Sequence, residues 1–206
     1  MKPNKIVGIY LAAGKSTRMG SDKLRLPLGS MKLGNYALAA ALRSELDDVV
    51  IVSGDPTADW IDRTFYQGPS HRKWTVIHCW ESHLGQSHSL CCGIAAAQAM
   101  NAAAVMILLA DQPLITTAMI NELLIHYQAT TNVGFVASRH DGLSRPPVIF
   151  ARRMFPDLLR LEYDQGARKL IRESTLGVSI DFTSADLFTD VDTVEDYSHL
   201  VKRWKS

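Results

Sequence analysis

The chain has 206 residues, 47% of them hydrophobic and 21% charged, with a formal net charge of +1. That length suits one α/β domain, residues 1–206, with a full core. Near-neutrality excludes a broad basic surface for nucleic acid or anionic membrane, and no apolar run reaches the roughly 18 residues of a membrane span.

In chain order, MKPNKIVGIY enters a strand at once and carries no signal-peptide apolar region, so a cytoplasmic location is expected. Strands are predicted at Ile6–Ala12, Val49–Ser53, Trp74–Cys79, Val105–Ala110, Val133–Ala137 and Val148–Phe150. Helices are predicted at Asn35–Glu45, Thr57–Phe65, Ser87–Met100, Ala118–Thr130, Ala151–Leu161, Ala167–Glu173 and Val194–Arg203. The strands are continuously apolar, as strands buried on both faces are. The alternation therefore predicts a mostly parallel sheet with helices on both faces. The helical stretch Ala151–Glu173 breaks the rhythm and is expected to be an insertion walling one side of a pocket. Cys79, Cys91 and Cys92 form no C-x-x-C pair. They suggest neither a zinc site nor a disulfide framework, and Cys91 and Cys92 read as small core residues in a reducing compartment. The histidines lack metal-ligand spacing.

Ligands of open α/β sheets bind at the carboxyl ends of the strands, so the polar residues after each strand carry the information. Leu11 to Lys23 reads LAAGKSTRMGSDK. A P-loop ending in Gly14-Lys15-Ser16 needs a glycine at position 9, where Ile9 stands within the strand. The loop nonetheless combines glycines, the hydroxyls of Ser16 and Thr17, and the cations Lys15, Arg18 and Lys23. Glycine lets backbone N–H groups approach an anion, arginine grips phosphate oxygens in a fork, and lysine adds a point charge. Asp22 is expected to balance Lys23.

Asp111, in Ala110-Asp111-Gln112-Pro113, ends a buried strand and wants a cation. Thr116 and Thr117 can cap the next helix, which leaves the carboxylate without a capping task. Mg²⁺ held through a carboxylate, water and substrate phosphates suits it. In Asp190-Val191-Asp192-Thr193-Val194-Glu195-Asp196, Thr193 and Asp196 have capping-box spacing. Asp190 or Asp192 remains as a second metal carboxylate. Ser87 or Ser89 in Gly85-Gln86-Ser87-His88-Ser89-Leu90 can cap a helix or read a base or ribose. Arg168, after Asp164-Gln165-Gly166-Ala167, is either a surface arginine or the partner of a bound anion. There is no Ser-His-Asp order and no G-x-S-x-G elbow, so direct attack of a bound substrate on a nucleotide phosphate fits better than a covalent intermediate.

The motif L-A-A-G-x-S-x-R-M-G-x-x-K at Leu11 to Lys23 resembles the signature of the MobA-like nucleotidyltransferases. The similarity continues in Leu26-Pro27-Leu28-Gly29, Gly85 to Leu90, Asp111-Gln112-Pro113, Asp164 to Arg168 and Asp190 to Thr193. These segments keep family order and span nearly the whole chain. Within the family the chain is most similar to the molybdenum cofactor cytidylyltransferases, including accessory proteins of xanthine dehydrogenase maturation. The Ala12-Ala13-Gly14 form resembles cytidine-using members. Arg145-Pro146-Pro147-Val148 departs from the family, which often has Gly-Asn-Pro or Gly-His-Pro there.

The resemblance implies a Rossmann-like nucleotidyltransferase fold. It implies transfer of CMP from CTP to the phosphate of molybdenum-bearing molybdopterin, with Mg²⁺ as cofactor and possible docking to a molybdenum hydroxylase such as xanthine dehydrogenase. Leu11, Ala12, Ala13, Gly14, Ser16, Arg18, Lys23 and Ser87 would bind nucleotide. Arg18, Lys23 and Asp111 would be catalytic, Asp111 with Asp192 or Asp190 would hold metal, and Gln112 and Arg168 would contact substrate. A nucleotidyltransferase acting on a sugar phosphate or another small phosphate is the nearest rival. A non-catalytic molybdenum cofactor carrier is a second.

Overall fold

The structure is a computed structural model that describes residues 4–14, 19–20, 22–67, 73–161 and 167–204. Its elements run β1 (Ile6–Ala12), β2 (Pro27–Leu28), β3 (Met31–Lys32), α1 (Tyr36–Arg43), β4 (Asp48–Ser53), β5 (Trp74–His78), α2 (Gln86–Ala99) and β6 (Ala104–Leu109). They continue with α3 (Thr117–Ala129), β7 (Phe135–His140), β8 (Leu143–Ala151), α4 (Phe155–Leu158), α5 (Arg168–Glu173), β9 (Gly177–Asp181) and α6 (Val194–Trp204).

The main sheet has the order β5-β4-β1-β6-β8-β7-β9. β5, β4, β1 and β6 are mutually parallel, β8 is antiparallel to both β6 and β7, and β9 runs parallel to β7. A mostly parallel sheet is therefore confirmed. Side chains of β1 alternate between two cores. Ile6, Tyr10 and Ala12 pack with α1, α3 and α6, whereas Val7, Ile9 and Leu11 pack with α2, α4 and α5. Strand residues point to opposite faces with period two, so a run apolar at every position requires helices on both sides. Gly93 lets α2 lie close to the sheet, since a Cβ there would fall 2.4 Å from the Ile9 side chain.

Three expectations change. Thr57–Phe65 is not a helix: only Arg63–Tyr66 forms a 3-10 turn. The Asp55 carboxylate accepts hydrogen bonds from the Thr57 backbone and hydroxyl, Ala58 adopts φ +44°, and the Asp62 carboxylate accepts from Thr64. Such side-chain-to-backbone bonds compete with the helical ladder. Ala151–Leu161 holds a 3-10 turn, Arg152–Met154, followed by the single turn of α4. This region covers the sheet through Met154, Phe155 and Leu158, and its Ala151 and Arg153 line a separate cavity rather than the one described below. Finally, Cys79 at the end of β5 is joined by a disulfide to Cys92 in α2, leaving Cys91 as the free thiol. Spacing along the chain gave no sign of the pair because the βα turn folds two distant cysteines together.

Among the described residues, no helix is long and apolar enough to cross a membrane.

Candidate active site

β1 is flanked by β4 on one side and β6 on the other, so the chain's crossovers diverge at the centre of the sheet. A crevice opens there beyond the strand ends. It is a cavity of about 470 Å³. Leu11, Ala12, Ala13 and Gly14 form one wall, and Ser82, His83, Leu84, Gly85, Gln86 and Ser89 form another. Lys23, Leu24, Leu109, Ala110, Asp111 and Asp192 complete it.

Lys23 opens a 3-10 turn, Lys23–Arg25, that crosses the crevice after β1. Asp22 caps the turn by accepting from the Leu24 N–H at 3.0 Å. Arg25 braces it from outside, with ion pairs to Asp22 (3.0 Å), Asp55 (2.6 Å) and Asp59 (2.5 Å). Asp22 thus pairs with Arg25, and Lys23 is held by other carboxylates. Its Nζ lies 2.7 Å from Asp111 Oδ2 and 2.8 Å from Asp192 Oδ1. The lysine is only 8% exposed. Burial opposes its charge, but the charges and hydrogen bonds of Asp111 and Asp192 outweigh burial and hold the ammonium pKa above its ordinary value.

Asp111 follows β6. Thr116 caps α3 instead, accepting from the Met119 N–H at 3.2 Å, so the carboxylate has no capping task. Asp192 precedes α6. Thr193 and Asp196 form the expected capping box: the Asp196 carboxylate accepts from Thr193 N–H at 2.8 Å, and the Thr193 hydroxyl accepts from Asp196 N–H at 3.1 Å. The same carboxylate accepts from the Asp192 N–H at 3.1 Å. The two candidate metal carboxylates have different surroundings. Asp192 faces Lys23 and Asp111, whereas Asp190 Oδ1 accepts from Gln112 Nε2 at 2.8 Å. Gln112 is 1% exposed and is not among the described cavity residues.

At the opposite wall, Gly85 has φ +140°, a conformation L side chains rarely adopt, and its backbone serves as the N-cap of α2. Neither Ser87 nor Ser89 caps the helix. Ser87 is buried within the first turn, and Ser89 reaches the cavity. Ser82, His83 and Leu84 were not singled out in the sequence. Their position directly after a parallel strand was the available signal. Ser16 and Arg18 lie outside the described residues, as do Asp164 to Gly166 and the Arg168 side chain.

Asp111 and Asp192 direct two oxygens onto a single cation, the Lys23 ammonium. Among the described residues no group of three or more His, Cys, Asp or Glu side chains could hold a metal. The protein would thus supply two carboxylates, with nucleotide phosphates and water completing the shell, which is how Mg²⁺ is commonly held. The donor set fits the ion.

Residues 8–178 match the family model for the MobA-like NTP transferase domain. The chain belongs to that family. It is 35% identical over 207 residues to Purine catabolism protein PucB of Bacillus subtilis, covering 98% of each chain. Its fold is similar to Rv0371c from Mycobacterium tuberculosis H37Rv, with a TM-score of 0.77 and 24% identity over 98% of this chain and 100% of that one. A manganese complex of Rv0371c gives a TM-score of 0.73 at 23% identity, covering 97% and 99% of the two chains. CMP:2-keto-3-deoxy-manno-octonic acid synthetase complexed with CTP gives 0.74 at 12% identity, covering 98% and 99%. The fold is that of the Rossmann-like nucleotidyltransferases, and the family is one of nucleotide-transferring enzymes.

Proposed function

We propose that the protein transfers CMP from CTP to the terminal phosphate of molybdenum-bearing molybdopterin, releasing pyrophosphate, in the cytoplasm. The observation that carries this reading is the Asp111–Lys23–Asp192 ion triad at the floor of a cavity walled by the Ala12–Gly14 backbone. The Ala12-Ala13-Gly14 form supports cytidine, and the CTP complex of a neighbour with the same fold supports the nucleotide class. The name of PucB, a purine catabolism protein, supports delivery of the product to a xanthine dehydrogenase-type hydroxylase.

In this reading the first wall holds the triphosphate, with backbone N–H groups near Gly14 facing its oxygens. Among the described residues, a Cβ on Gly14 would meet no atom within 4 Å. Gly85, Gln86 and Ser89 face the nucleoside. Asp111 and Asp192 would hold Mg²⁺, which when bound would supply positive charge against the nucleotide phosphates. Lys23, released from the carboxylates, offsets charge growing at the α-phosphate. An oxygen of the acceptor phosphate attacks the α-phosphorus, a P–O bond forms, and the bond to the β-phosphate breaks. The acceptor is already an anion at neutral pH, so catalysis rests on in-line positioning and charge neutralisation without a strong general base.

The test mixes purified protein, Mg²⁺ and molybdenum-loaded molybdopterin with CTP, GTP, ATP or UTP, and follows pyrophosphate and product mass. We expect a cytosine dinucleotide product with CTP. Asp111→Asn should lose turnover by orders of magnitude with little change in melting. Tight cofactor binding without pyrophosphate would replace the enzyme by a carrier. Turnover only with sugar phosphates would replace the acceptor.

A further inference from the structure

Gln112 presents a physical puzzle. Its amide is 1% exposed, and Oε1 is buried with no hydrogen-bond partner among the described residues. Half-satisfied buried amides are costly, and an apolar side chain of similar volume would pack there without that cost. What the amide does is donate from Nε2 to Asp190 Oδ1 at 2.8 Å. Alongside it, the Val191 N–H donates to the Asp111 carbonyl at 2.9 Å, and Val191 is fully buried. Two bonds therefore fasten the 190–191 segment to the 111–112 turn. From the other side, Asp196 accepts from the Asp192 and Thr193 N–H groups. Asp192 lies between these two attachments.

We infer that Gln112 is a positioning residue. It acts through Asp190 to set where the Asp192 carboxylate stands relative to Asp111, and Asp190 contributes as the hydrogen-bond acceptor rather than as a metal ligand. The inference rests on the proposed metal site. Groups that fix the ligands of a metal govern its affinity although they never touch it. The geometry also explains why two aspartates two residues apart, which resemble alternatives in the sequence, divide their tasks. One faces the cavity cation, and its neighbour takes the bond that holds the loop.

The experiment measures Mn²⁺ binding by electron paramagnetic resonance of the free ion, without nucleotide, together with melting temperature. The variants are Gln112→Met, Asp190→Ala and Asp190→Asn. Gln112→Met and Asp190→Ala should weaken Mn²⁺ by about ten-fold or more. Gln112→Met should do so without a matching fall in melting temperature, because it removes an orphaned oxygen. Asp190→Asn should retain the parent affinity, since an amide oxygen at that position still accepts from Gln112. Loss of Mn²⁺ in Asp190→Asn as large as in Asp190→Ala would make Asp190 a ligand and overturn the inference. Parent-like binding in Gln112→Met would overturn it too. Failure of the parent itself to bind Mn²⁺ would instead defeat the metal site, and the inference with it.

Discussion

Replacing Lys23 by methionine tests whether the ion triad is a cation site shared by lysine and metal. The lysine holds together two carboxylates that would otherwise repel. Bonds of 2.7 and 2.8 Å to one nitrogen place Asp111 Oδ2 and Asp192 Oδ1 at most about 5.5 Å from each other. At an effective dielectric constant of about 20, two unit charges at that distance repel by about 3 kcal/mol. The Asp192 side chain is 37% exposed, so solvent screening lowers this, and we take about 2 kcal/mol. For a chain of this length that corresponds to a fall in melting temperature of about 4–8 °C. The loss should be reversible. Mg²⁺ or Mn²⁺ can enter between the same carboxylates, so the divalent ion should stabilise Lys23→Met by more than it stabilises the parent, which must first release an ammonium. Thermal melts of both proteins with and without Mg²⁺ measure the difference. If Lys23→Met melts with the parent and responds equally to Mg²⁺, the two carboxylates do not share a cation site and the reasoning fails.

Asp196→Ala removes the acceptor for Thr193 and Asp192 and should cost about 1 kcal/mol, read as a melting fall of about 2–4 °C at neutral pH. Its carboxyl is held below the usual carboxylate range, first by the Thr193 hydroxyl. The stabilisation is therefore present above the unfolded pKa of about 4 and is lost as pH falls through the folded value, so parent and variant melts should converge in acid. Convergence at high pH instead would contradict this assignment. The disulfide predicts one titratable thiol, Cys91, in unreduced denatured protein and all three after reduction. Three thiols before reduction would exclude the bond. In the native protein burial pushes the Cys91 thiol up, so its alkylation at neutral pH should be slower than that of an exposed cysteine.

The strands that build the site were legible because they are buried on both faces. Ile6–Ala12 shows this in its unbroken apolar run, and its ends match the structure. β9, Gly177–Asp181, went unread because it is only half-buried and so leaves no such run. The chemistry was legible where a residue contradicts a local role. Asp111 stood out as a site candidate because Thr116 could take the cap, and Thr116 does cap α3. Pairings across the fold were not legible. Asp22 stands beside Lys23 in sequence, yet the 3-10 turn directs Asp22 to its own backbone and to Arg25, and directs Lys23 across the crevice. Asp190 and Asp192 carry the same group two positions apart, and only the neighbour each one meets distinguishes them. For Asp190 that neighbour is the amide of Gln112, 78 residues away in the chain. Residue type thus indicates which chemistry a segment can perform. The division of labour between identical side chains is set by contacts that depend on loops from opposite ends of the chain meeting over the same two strand ends.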